Sequence, residues 1–242
     1  LVVGTRFSIQ ISNGQTRLSV SDGQVQITSA RSAASQTITA GQAVSVDQRG
    51  TVALSPQLIA HWAFEDGEGR IATDSSGNGH FGQLEPRTTW TTGVAGGGLY
   101  LGGYESVDVD HHPAFDLQAG TFSLWLKPDL SLPDQIARVD REQWPLIFLS
   151  KNDWRNGSRF DLIHPVAEDN LSWGMYLGHG PAGTSHTSAP VPSGLRWYHL
   201  ASTWESGGEV RLYVDGELVA AAPMLSEAIL PNDQPLRIAR HL

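Results

Sequence analysis

Apolar and polar residues alternate in short runs along most of this 242-residue chain, and a period of two is the signature of half-buried β-strands. Val3, Thr5, Phe7, Ile9 and Ile11 share one face, as do Leu18, Val20, Val25 and Ile27, and the pattern resumes through Ile38, Val44 and Val46. Asn13-Gly14, Asp22-Gly23 and Ala40-Gly41 interrupt these runs, and Asn-Gly and Asp-Gly favour the positive φ angles of tight hairpins. A small antiparallel meander is expected. Further along, Phe122, Leu124 and Leu126 alternate with Ser123 and Trp125, and Val210, Leu212 and Val214 alternate with Arg211 and Tyr213 before a turn at Asp215-Gly216. Short strands are expected near 58–64, 80–84, 98–101, 105–109, 120–127, 145–151, 159–164, 172–178, 185–189, 196–204, 209–214, 217–221 and 235–240. Their number and spacing fit an all-β chain whose second part is a two-sheet antiparallel sandwich.

Composition divides the chain near Ser55-Pro56. All eight Trp lie beyond it, and before it Phe7 is the only aromatic residue. The expected domains are 1–56 and 57–242. Residues 1–57 hold four Arg against two Asp, which leaves 12 Lys plus Arg against 23 Asp plus Glu, near −11, for the remainder. Such a surface repels phosphate backbones, so no nucleic-acid partner is expected. Without cysteine there is no disulfide, thiolate metal site or cysteine nucleophile. No apolar run approaches the roughly 20 residues of a membrane span. The chain opens on Leu1 with no signal-peptide pattern, so any targeting segment would lie outside it.

Two families are recognisable in these residues. Val3-Gly4-Thr5-Arg6-Phe7, Thr16-Arg17-Leu18-Ser19-Val20, Asp22-Gly23-Gln24-Val25 and Ala40-Gly41-Gln42-Ala43 resemble the C-terminal half of a FecR domain. That resemblance implies an extracytoplasmic β structure: periplasmic, cell-surface or secreted. The stretches Trp62–Gly67, Asp74–Gly79, Thr121–Pro128, Trp197–Ala201 and Leu212–Gly216 resemble LamG-like domains of the concanavalin-type jelly-roll group. Members commonly bind glycans, matrix polymers or surface proteins, often with calcium. The group's closing strand is not recognisable before Leu242, which predicts a loose edge around Ile59 to Phe64.

Glycosidases of this fold need two carboxyl groups about 5 to 5.5 Å apart for retention. The E-x-D-x-x-E strand that supplies them there is absent; Glu105, Asp108 and Asp110 come nearest, with Asp108 and Asp110 on one face. No catalytic role is expected. Gly77 to Gly82 spells G-x-G-x-x-G, but in a turn cluster rather than between strand and helix, so the glycines serve turns. For sugar binding the useful mixture is an aromatic ring beside planar polar groups. Trp144 and the run Asn152, Asp153, Trp154, Arg155 supply it, while Trp173 suits either a ligand site or the core. Asp66, Asp74 and Asn78 lie in glycine-rich turns that suit calcium, although Asp74 and Asn78 equally suit Asx-turns. His199 reads as a satisfied core histidine. The expected function is a non-catalytic carbohydrate- or polymer-binding module; the alternatives are a structural or adhesive surface protein and an accessory module of a longer secreted enzyme.

Overall fold

A computed structural model describes the chain except residues 1–4, 13–14, 29–34, 40–41, 48, 50, 56, 103–104, 132, 136, 138–145, 154, 165–171, 191 and 241–242. The chain divides into two compact units. The first comprises Leu1–Trp62, Asp74–Gly79 and His112–Leu117, and the second comprises Ala63–Thr73, His80–His111 and Gln118–Leu242. None of the described helices is long and apolar enough to cross a membrane.

In the first unit, strands β1 (Arg6–Ser12), β2 (Gln15–Asp22), β5 (Gln42–Val46) and β6 (Val52–Ser55) form a four-stranded antiparallel sheet in the order β1-β2-β5-β6. Strands β3 (Gln24–Thr28) and β4 (Ser35–Thr39) pair only with each other. The meander therefore stops at β2: Gly23, at φ 75°, turns the chain out of the sheet. A side chain at Gly23 would also strike Thr5, since its Cβ would stand 2.7 Å from Thr5 Oγ1. Leu18, Val20, Ile38 and Val44 are the buried core, with Val25, Ile27 and Val52 packed against it. Phe7, Ile9 and Ile11 do not join them, contrary to the half-buried role their alternation predicts. Phe7 pairs with Val20 and Ile9 with Leu18, so the three side chains share the core face. Yet they are 51, 56 and 77 % exposed, because the β3–β4 hairpin packs over Leu18, Val20 and Val44 and leaves the outer strand uncovered.

The second unit is a sandwich. Its larger sheet contains β7 (Ile71–Ala72), β8 (Gly82–Leu84), β11 (Val107–Val109), β13 (Leu146–Asp153), β14 (Ser158–His164), β15 (Ser172–Gly178), β16 (Thr184–Pro190) and β20 (Leu236–Arg240), in the order β16-β15-β14-β13-β20-β11-β8-β7. The smaller sheet is β12 (Ala119–Leu126), β17 (Tyr198–Glu205), β18 (Glu209–Val214) and β19 (Glu217–Pro223), in that order. A separate hairpin joins β9 (Thr89–Thr92) to β10 (Gly97–Tyr100). Between the two sheets lie Leu149, Leu162, Met175, Leu200 and Leu212, all buried. Trp173 meets Tyr198 edge-on at 5.5 Å, and Phe160 meets Trp204 at 4.9 Å. Each such ring pair contributes roughly 0.5 to 1.5 kcal/mol beyond its buried area.

Hydrogen bonds around the buried His179 and at Gln118 fix the crossing from β19 to β20. His179 sets one ring nitrogen 2.7 Å from the Glu227 carbonyl and the other 2.9 Å from Ser185 Oγ, which also accepts the Leu225 N–H. Gln118 exchanges two further bonds with the Ile229 backbone. The strand expected at 58–64 does not form. Trp62 makes one isolated bridge to Asp74, the His61 N–H is taken by the Asp74 carboxylate, and Phe64 turns to φ 56°. Those features break the extended run expected there.

Candidate functional site

The larger sheet carries opposite chemistry on its two faces. One cross-strand row reads Thr187, Met175, Leu162, Leu149, Ile238, Val107 and Leu84, and it faces the smaller sheet. The next row, displaced by one residue and so pointing outward, reads His186, Tyr176, Asp161, Ser150, Arg237, Asp108 and Gln83. Every member can donate or accept a hydrogen bond. Six strand spacings of about 4.8 Å give the row a length of roughly 29 Å.

Local sequence shapes this row. The Tyr176 and His186 rings stack in parallel, 5.2 Å apart and 6° from coplanar. Gly174, two residues along β15 on the same face, has no side chain; a Cβ there would stand 2.9 Å from Tyr176 Cε2. The tyrosine ring therefore leans over that glycine. Asp161 and Ser150 are buried in mid-row, and Asp161 Oδ2 accepts a 2.8 Å bond from Asn152 Nδ2. Asp108 Oδ1 accepts from Ser106 Oγ at 2.7 Å, and its Oδ2 accepts from Arg237 Nε at 3.4 Å. The result is an aromatic pair at one end and amide, carboxylate and guanidinium groups towards the other.

Asn152 joins this face to the loop expected to bind sugar. Asp153 and Arg155 close on each other: Asp153 Oδ1 accepts from Arg155 N at 3.1 Å and Nε at 3.0 Å. The Arg155 hydrogen bond holds the Asp153 carboxyl below its usual range and raises the guanidinium. Trp144 and Trp154 lie outside the described residues. Trp173 is core, 1 % exposed, and not part of an open site. His199 is not the core histidine its neighbours suggest. It faces outward from the smaller sheet beside Trp125, with ring centroids 5.1 Å apart, because Tyr198 and Leu200 take the inward positions.

The side chains of Asp66, Asp74 and Asn78, expected to serve calcium, make hydrogen bonds across their turns. Asp66 accepts from Thr73 Oγ1 at 2.5 Å and Thr73 N at 3.1 Å, and the hydroxyl bond lowers its pKa. Any stability from that carboxylate is present above its ordinary range and is lost as pH falls through the lowered folded value. Asp74 Oδ1 accepts from His61 N and Ser76 N, both at 2.9 Å, while Asn78 Nδ2 donates to the Leu58 and Ile59 carbonyls at 2.9 and 2.8 Å. Calcium wants six to eight oxygens. Among the described residues no group of three or more His, Asp or Glu is placed together to hold a metal ion.

Residues 101–241 match a laminin G type family model described as the concanavalin A-like lectin/glucanases superfamily. No curated protein matches the chain. Among solved structures it is similar to domain 4 of an extracellular arabinanase from Geobacillus stearothermophilus, in complex with arabinotriose. The identity is 17 %, the TM-score 0.53, and the match covers 75 % of this chain and 82 % of that one. It is also similar to the binding domain of Paraclostridial Mosquitocidal Protein 1, at 17 % identity and TM-score 0.54, over 72 % of this chain and 42 % of that one. A botulinum neurotoxin type C structure, described with cell entry dependent on two ganglioside molecules, matches at 9 % identity and TM-score 0.52, over 75 % and 43 % of the two chains. The chain thus spans under half the length of the two toxin chains. At these identities the likeness shows the fold.

Proposed function

The chain belongs to the concanavalin A-like lectin/glucanase superfamily through residues 101–241, and on that premise we propose that it is a non-catalytic carbohydrate- or polymer-binding module using the outward row of its larger sheet. The observation that carries this reading is the row itself: a stacked Tyr176–His186 pair towards one end and the part-exposed Arg237 and Asp108 towards the other, with Asp161 and Ser150 buried between them. Rings stack on the apolar face of a sugar, and amides, carboxylates and guanidinium groups take its hydroxyls. The arabinotriose bound to the arabinanase domain and the gangliosides named with the neurotoxin are in keeping with such a ligand.

The carboxylates argue against hydrolysis. Asp161 and Asp108 stand three strands apart in the order β14-β13-β20-β11, roughly 14 Å at 4.8 Å per strand. A glycosidase pair needs about 5 to 9.5 Å. Asp110, the other carboxylate expected beside Asp108, lies past the end of β11 at Val109 and is exposed. We read residues 1–56 as the C-terminal half of a FecR-like domain, which favours a periplasmic, cell-surface or secreted setting.

A polysaccharide array tests the function. The chain should bind at least one glycan saturably, and Tyr176→Ala should weaken that binding on the order of tenfold, as loss of an aromatic anchor does. A silent array with folded protein, or unchanged binding by Tyr176→Ala, would refute it.

A further inference from the structure

The outward face of the smaller sheet presents a second aromatic surface. Trp125 is 51 % exposed on edge strand β12, directly across from His199 on β17, and the two rings tilt together at 49°. Two residues along, the cross-strand row reads Ser123, Ala201, Tyr213 and Leu218. Ser123 and Ala201 are small, so little side chain rises from the row beside the Trp125–His199 pair. The inward residues of the same strands, Leu200, Ser202 and Leu212, are buried, so the exposed indole is not needed to fill the core.

Charge at this surface is largely cancelled within the protein. Arg196 pairs with Asp215 at 2.7 Å, and Asp215 also accepts the His199 N–H at 2.9 Å. Arg211 pairs with Glu209 at 2.7 Å. Lys127, past the end of β12, is exposed at the border. Residues 58–242 carry 12 Lys plus Arg against 23 Asp plus Glu, a field that opposes anionic chains. An exposed indole, a neighbouring imidazole and a serine hydroxyl, with the flanking arginines neutralised, suit an uncharged ring.

We propose that the outward face of the smaller sheet is a second sugar-binding surface, where an uncharged sugar ring stacks on Trp125 between His199 and Tyr213. The two faces of a sandwich point in opposite directions. A module of this kind holds two chains at once and cross-bridges a neutral polymer. This goes beyond the function proposed above and rests on it in one respect, that the module binds sugars.

Calorimetry with cellohexaose, xylohexaose and mannohexaose reads the number of sites. The expected result is two molecules of at least one of them per chain. Trp125→Ala should reduce this to one, leaving the remaining affinity unchanged, and Tyr176→Ala should weaken the other on the order of tenfold. With the matching polysaccharide, wild type should form a turbid network and either variant should stay clear. One site per chain, unaffected by Trp125→Ala, overturns the second surface while the first function stands. Binding of tri-galacturonate at Trp125 in place of the neutral sugars overturns the uncharged class. No heat with any oligosaccharide, together with a silent array, overturns the underlying function as well. Trp125→Phe, which keeps an aromatic ring, should restore most of the second site, and its failure to do so in a folded chain counts against stacking.

Discussion

Trp173→Ala is expected to cost about 3 to 5 kcal/mol, the range for removing a buried large aromatic side chain. For a unit of this size that lowers the melting temperature by roughly 6 to 20 °C. Trp173 is 1 % exposed and lies beside Ala189 of the neighbouring strand. It meets Tyr198 edge-on at 5.5 Å and Phe148 at 6.1 Å, so its loss opens a cavity and strips two aromatic partners. Urea or thermal unfolding measures the effect. Trp125→Ala is the internal control, since an indole half in water on an outward face should contribute little to stability. A cost below about 1 kcal/mol for Trp173→Ala would contradict the sandwich core described here.

Asn232→Leu should be nearly as damaging, at about 2 to 4 kcal/mol, for an electrostatic reason. Lys151 is 2 % exposed, and its ammonium donates to the Asn232 backbone oxygen and to Asn232 Oδ1. The same Asn232 side chain donates to Ser158 Oγ at 2.5 Å and to the Lys151 carbonyl at 3.3 Å, and it accepts the Gln234 N–H at 3.0 Å. Leucine keeps the backbone acceptor of Lys151 but removes the Asn232 side-chain oxygen and amide, and it sets an apolar group against a buried cation. A second change checks the mechanism: Lys151→Met should recover much of the loss in the Asn232→Leu background, because the buried charge is gone. Strictly additive costs in the double variant would show that the lysine and asparagine act independently.

Strands were legible in the sequence wherever alternation ran unbroken. Strands β15 and β18 occupy 172–178 and 209–214, as periodicity predicts, and Asp215-Gly216 turns with φ 52° and 85°. Alternation reports a face and not a partner. Neither the pairing of β3 with β4 nor the insertion of β20 between β13 and β11 follows from it. The same limit hid the outward row. Ser150, Asp161, Tyr176 and Arg237 each look like ordinary polar positions, and only long-range register brings them into line. The Asn152–Arg155 segment was visible from composition, yet Asp153 and Arg155 bind each other, and Asn152 alone of the described members turns to the row. Phe7, Ile9 and Ile11 illustrate the opposite case, since period two names the correct face but cannot say that the covering hairpin falls short of it.

The most direct test is a titration of the nitrogen-15-labelled full chain with the neutral hexasaccharide that binds best, followed by amide chemical shifts. Saturable changes should include Ser150, Asn152, Asp161, Tyr176, His186 and Arg237. Saturable binding that leaves all six amides unmoved would contradict a ligand site on the outward face of the larger sheet.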